Sequence, residues 1–211
     1  MTKMKNKYLA FASVLLSPLA AIGVSPAVAA TITLDFETSA PCVFVDTTPL
    51  TNLGDVTFTG VDGVGGSILN ECGGFSQTAF SGTDFYAWNT GNGTGTTVDL
   101  DFGGLISSFS IYASQDGGSG SGNSFLAEAF SIGDVLLDSI VFSPTDVAWG
   151  LMSLAASSIN RVRLSFSGAG DCCVIYDDLT YTTASVPEPG TLALFALGLA
   201  GMSLVRRRRK V

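Results

Sequence analysis

The chain has 211 residues, 10 of them basic and 18 acidic, and contains no histidine. The missing histidine excludes Ser-His and Cys-His nucleophile pairs, histidine general bases and histidine-ligated zinc. Eight of the basic residues lie at the two ends, so residues 31–186 keep Arg161 and Arg163 against seventeen acids, a net charge of −15 that repels nucleic acid and anionic head groups.

The front carries Lys3, Lys5 and Lys7, then an almost uninterrupted apolar run from Tyr8 to Val24, then Ala27-Val28-Ala29. A positive n-region, an apolar h-region and a small-residue site make residues 1–29 a signal peptide, exported through the Sec translocon and removed by signal peptidase. The alternative is a retained anchor, but Pro18, Gly23 and Pro26 shorten the usable helix.

Residues 30–185 form one domain, long enough for a substantial core. Its apolar period is two: Ile32, Leu34 and Phe36 alternate with polar residues, as do Val98, Leu100 and Phe102, and Val162, Leu164 and Phe166. Further strands are predicted over Val56–Thr59, Phe85–Asn89, Ser108–Ala113, Phe125–Ile132, Val135–Phe142 and Val174–Thr182, separated by turns such as 89–93 and 116–122. Short strands, dense turns and no amphipathic helix predict an all-β antiparallel β-sandwich of jelly-roll type.

Cys42, Cys72, Cys172 and Cys173, in an exported chain, point to disulfides rather than a thiolate metal site. Three pairings are open; Cys172 and Cys173 are adjacent, where a bond is strained, and two of the three tie this site to Cys42 and Cys72. The stretch Pro41-Cys42-Val43-Phe44, Gly65 to Cys72 and Ser81-Gly82-Thr83-Asp84-Phe85 resembles the N-terminal half of a group of uncharacterised secreted β-sandwich proteins. That resemblance implies a Cys42–Cys72 bridge, leaving Cys172 and Cys173 as a vicinal bridge, free thiols or an intermolecular link.

Leu34-Asp35-Phe36-Glu37 opens the domain and Val174 to Tyr181 closes it. First and last strands of a jelly roll lie side by side. The two segments resemble the opening and closing strands of jelly-roll carbohydrate-binding modules, which implies a structural Ca²⁺ on Glu37 and Asp178, with Asp35 and Asp177 next. Strict alternation would put Asp177 and Asp178 on opposite faces, so that all four could not bind together. The plainer reading is solvated charge on an edge strand.

At the rear, Val186-Pro187-Glu188-Pro189-Gly190 breaks any helix and leads into Thr191–Val205, an uncharged apolar segment followed by Arg206, Arg207, Arg208, Arg209 and Lys210. Fifteen helical residues reach only about 22 Å against a hydrocarbon core of about 30 Å, so this transmembrane helix (191–205) is a marginal anchor. The basic cluster keeps the tail cytoplasmic and the domain outside. Residues 186–211 resemble the PEP-CTERM sorting signal of Gram-negative bacteria. The resemblance implies recognition by exosortase, an inner-membrane-anchored precursor, cleavage near Pro-Glu-Pro, and delivery to the cell surface or extracellular matrix of a species that makes exopolysaccharide.

Three functions fit. A non-catalytic domain can present aromatics such as Tyr86, Trp88 and Trp149 to an exopolysaccharide, although Tyr86 and Trp88 share a strand face and read more readily as core. A purely structural or adhesive surface protein needs no specific ligand. An enzyme would have to be a carboxylate-pair glycosidase, yet the core glutamates Glu37, Glu71 and Glu128 show no such spacing, so no catalytic residue is assigned.

Overall fold

The computed structural model describes residues 28–37, 49–61, 66–70, 77–88, 97–115, 123–144, 147–167, 174–185 and 198–199. The four cysteines, the signal segment up to residue 27 and Pro187 to Pro189 lie outside them, as does Thr191–Val205 apart from Gly198 and Leu199, which are helical. Among the described residues no helix is long and apolar enough to cross a membrane.

Val28–Val186 forms one compact unit, and its described residues hold ten antiparallel strands. They are β1 (Thr31–Leu34), β2 (Asn52–Leu53), β3 (Val56–Gly60), β4 (Ser67–Asn70), β5 (Asp84–Trp88), β6 (Thr97–Gln115), β7 (Ser124–Phe130), β8 (Leu136–Phe142), β9 (Gly150–Ser167) and β10 (Val174–Thr183). Period-two patterning sets which residues face inward. In β3, Val56 and Phe58 are buried while Thr57 and Thr59 are exposed, and in β7 Phe125, Ala127 and Ala129 are buried against half-exposed neighbours.

Two long strands build both layers of the sandwich. The first part of β6 pairs with β3 and with Arg161–Ser165 of β9, and β9 in turn pairs with β7. Beyond a register shift between Asp101 and Ile106, β6 pairs with β10 and with Gly150–Ile159 of β9. The alternating run Val98 to Phe102 and the predicted strand Ser108–Ala113 are thus parts of one strand, which passes through Gly103 and Gly104 from one layer to the other. A bulge at glycine bends a strand without ending its ladder.

The layers close on aromatic rings. Phe58 of β3 lies 5.2 Å from Tyr86 of β5, and Phe125 of β7 lies 5.8 Å edge-on from Tyr176 of β10. Tyr86 is fully buried, as its strand face predicted, and its hydroxyl accepts the Gly66 N–H at 3.0 Å. Burying a large apolar side chain of this kind contributes roughly 1.5–3 kcal/mol.

As expected for first and last strands, β1 lies antiparallel to β10, from Thr31 opposite Thr182 to Leu34 opposite Leu179. β5 pairs with the same edge of β10, from Val174 opposite Trp88 to Tyr176 opposite Tyr86. Between these two partners β10 is left with a gap at Asp177 and Asp178.

Both arginines of the domain sit on the other layer, at β9. Arg163 grips Asp99 bidentately, Nε to Oδ1 at 2.7 Å and Nη2 to Oδ2 at 2.8 Å. Arg161 approaches the same carboxylate at 3.6 Å and Asp134 at 3.0 Å, and both guanidiniums lie over the Phe130 ring. Paired in this way, the two cations leave the β1–β10 edge to its carboxylates.

Candidate functional site

The gap in β10 is produced locally. Its ladder with β6 shifts register between Asp177 and Thr180, and Asp178 takes a φ of 47°. On the neighbouring edge β1 ends at Leu34, and Phe36 turns to a φ of 57° while burying its ring. Both breaks overturn the strict alternation expected of the four acids. The bulge in β10 and the turn that follows β1 both face residues 80–84, which lead into β5.

Asp177 is completely buried, and its Oδ2 accepts the amides of Phe80 at 2.8 Å and Ser81 at 3.0 Å. Its Oδ1 accepts the Asp178 amide at 2.8 Å. Asp178 reaches the same loop, accepting the Ser81 hydroxyl at 2.7 Å. From the β1 side, Glu37 Oε1 accepts the amides of Thr83 at 2.8 Å and Asp84 at 3.0 Å. Asp35 does not reach the loop; it accepts the Glu37 amide at 3.2 Å. Gly82 has a φ of 58°, which glycine adopts without strain, and a Cβ there would displace the Glu37 carboxylate from the Thr83 and Asp84 amides.

The structure therefore brings Glu37, Asp177 and Asp178 to one loop and employs them as hydrogen-bond acceptors. Charged acceptors on backbone N–H groups make stronger bonds than neutral ones, which suits them to hold a loop. Among the described residues no group of three or more carboxylates converges as a cation site would require. Burial pushes the Asp177 carboxyl up to about 6, outweighing the lowering by its amide donors, and the Asp178 charge adds to the rise.

The loop also carries an aromatic group that the sequence reading passed over. Phe80 stacks on Tyr112 of β6 with centroids 3.6 Å apart and planes 17° apart, and meets Trp149 edge-on at 5.9 Å. Trp149 Nε1 donates to the Thr78 carbonyl at 3.2 Å. Phe80 is 42% exposed. Its one local signal was an aromatic in a Ser- and Gly-rich loop; Tyr112 resembled any strand residue, and only pairing placed it beneath the loop. Of the aromatics singled out, Trp149 belongs to this surface, whereas Tyr86 is core.

Residues 185–210 match the PEP-CTERM protein-sorting motif. No curated protein matches the chain. Among solved structures, the K2 cleaved adhesin domain of Lys-gingipain is similar at 15% identity, with a TM-score of 0.51 over 73% of this chain and 100% of that one. The K1 cleaved adhesin domain of the same protein, from Porphyromonas gingivalis, is 15% identical, with a TM-score of 0.47 over 74% of this chain and 99% of that one. The CBM22-1 xylan-binding domain from Paenibacillus barcinonensis is 12% identical, with a TM-score of 0.42 over 74% and 95% of the two chains. At these identities the likeness concerns the fold. The chain is thus a β-sandwich protein bearing a PEP-CTERM protein-sorting motif over residues 185–210.

Proposed function

We propose that this protein is an exported surface or matrix component, sorted by exosortase, whose β-sandwich acts without catalysis as a glycan-facing or adhesive domain. The observation that carries the reading is the sorting motif at residues 185–210 following an antiparallel β-sandwich domain. The chemistry of the acids supports the non-catalytic part. Glu128 pairs in register with Arg163 on one layer, while Glu37 caps backbone amides at the β1 end. A carboxylate-pair mechanism needs two such groups flanking one bond.

Expression in an exosortase-bearing host tests the sorting. The intact chain is expected to yield a product shortened near Pro187-Glu188-Pro189 and found outside the inner membrane. A variant with all three residues changed to Ala is expected to keep its tail mass and remain with the membrane. Identical processing of the two, measured by intact mass and fractionation, would overturn the assignment.

The finer part of the reading is calcium at the β1–β10 edge. It would draw oxygens of Glu37, Asp178 and Asp177 away from the N–H and O–H donors of residues 80–84. It requires the thermal midpoint to rise with Ca²⁺ and to fall back with chelator; a midpoint indifferent to both removes calcium from the proposal.

A further inference from the structure

We propose that Phe80, with Tyr112 beneath it and Trp149 at its edge, is a stacking subsite for a pyranose ring of a neutral glycan. The inference rests on the glycan-facing reading and assigns that role to one surface. Its starting point is a solvent-facing aromatic held still from three directions. Phe80 lies flat on Tyr112 at 3.6 Å, Trp149 stands against its edge at 5.9 Å, and its own amide is fastened to the buried Asp177 at 2.8 Å. Trp149 is itself tied to the Thr78 carbonyl.

A ring so restrained has little rotamer freedom left to lose, which favours binding by pre-organisation. Phe80 nevertheless keeps 42% of its surface in solvent. The apolar surface continues onto β9, where Leu151, the register partner of Tyr112, is 50% exposed. Pyranose rings present a face of C–H groups flanked by hydroxyls, so an aromatic surface edged by hydrogen-bonding groups suits them. The edge here is the Ser81 hydroxyl with its Asp178 partner, one residue along the chain from Phe80.

Charge selects among glycans. Asp177, Asp178, Glu37 and Asp35 surround the loop or its anchors, while Arg161 and Arg163 are paired with Asp99 on the other layer. A polymer of uronic acids or sulfated sugars meets only like charge here. A neutral polymer meets none.

Affinity electrophoresis of the full chain in detergent tests this, with neutral β-glucan, galactan, mannan and xylan in the gel and polygalacturonate as the acidic polymer. Retardation by at least one neutral polymer and not by polygalacturonate is expected. Phe80→Ala should weaken that retardation about tenfold, a size in keeping with a lost aromatic contact. Phe80→Leu, which keeps apolar packing on Tyr112, should weaken it similarly, and Phe80→Trp should restore it. Phe80→Leu and Phe80→Trp should melt near the wild-type midpoint, Phe80→Ala should melt lower but still as one cooperative transition because it gives up its packing on Tyr112, and Leu105→Ala, in the β6 crossing, should bind as wild type.

If the wild type is retarded and the Phe80 variants match it, the subsite is overturned while the glycan-facing reading stands. If no neutral polymer retards the wild type, both fall. Preference for polygalacturonate overturns the neutral assignment. A Phe80-dependent change in sedimentation without glycan binding makes the surface a protein contact and overturns the proposal.

Discussion

Asp177→Ala is expected to lower the unfolding free energy by about 3 kcal/mol at neutral pH, the cost of leaving three backbone donors without their acceptor. Asp177 is fully buried and takes the amides of Phe80, Ser81 and Asp178. A buried donor left unpaired costs about 1–3 kcal/mol, and the low end applies because residues 80–84 border solvent. Asp177→Asn gives a second, sharper readout. Burial raises this carboxyl to about 6, whereas an unfolded Asp titrates near 3.9. The folded state therefore holds the proton more tightly, so the proton-linked part of its stability, separate from the amide hydrogen bonds, is greatest below about pH 4 and is lost as pH rises through about 6. Asp101, also raised by burial and by the Asp99 charge, adds a dependence of the same sign. Urea unfolding between about pH 4 and about 7.5, which spans the unfolded and folded titrations of Asp177, should show a smaller decline in Asp177→Asn than in the wild type. Parallel profiles would show that Asp177 is not the titrating group.

Phe125→Ala is expected to cost about 4 kcal/mol. The ring is 0% exposed and lies between the layers, 5.2 Å from Phe166, 5.8 Å from Tyr176 and 5.9 Å from Phe142. Its removal leaves a cavity whose walls belong to different strands paired in ladders, so they cannot all collapse into it. Val141→Ala, on a side chain 61% exposed, serves as the control and should change stability by no more than about 0.5 kcal/mol. The urea midpoint measures both. Equal shifts would mean that the β7 face does not meet the β10 face.

Strand positions were legible wherever apolar residues alternate under strong β-formers. Val56 to Gly60, Ser124 to Phe130 and Val174 to Thr183 emerged within a few residues of where the pattern put them. The first half of β9 did not, because Gly150 to Ser158 is rich in Ala, Ser and Gly, which have weak β preference. Only pairing with β6 makes it a strand, with Met152 and Leu154 inward and Leu151 outward. β4 was missed for a similar reason, being four residues long and specified by its partner β5.

The acids near the two ends of the domain were likewise legible as neighbours, since the first and last strands of such a sandwich pair. Their roles were not, because alternation assumes unbroken strands, and positive φ at Phe36 and Asp178 breaks both.

The sequence by itself determined the sorting motif, the acidic charge and the period-two patterning, for these depend on order and composition along one segment. Tertiary structure alone decided that Asp177 anchors the Phe80 loop and that Phe80 rests on Tyr112. Those contacts join residues 97 and 32 positions apart. A contact at such separation exists only once a third element has brought its partners together, and here that element is the β10–β6 ladder.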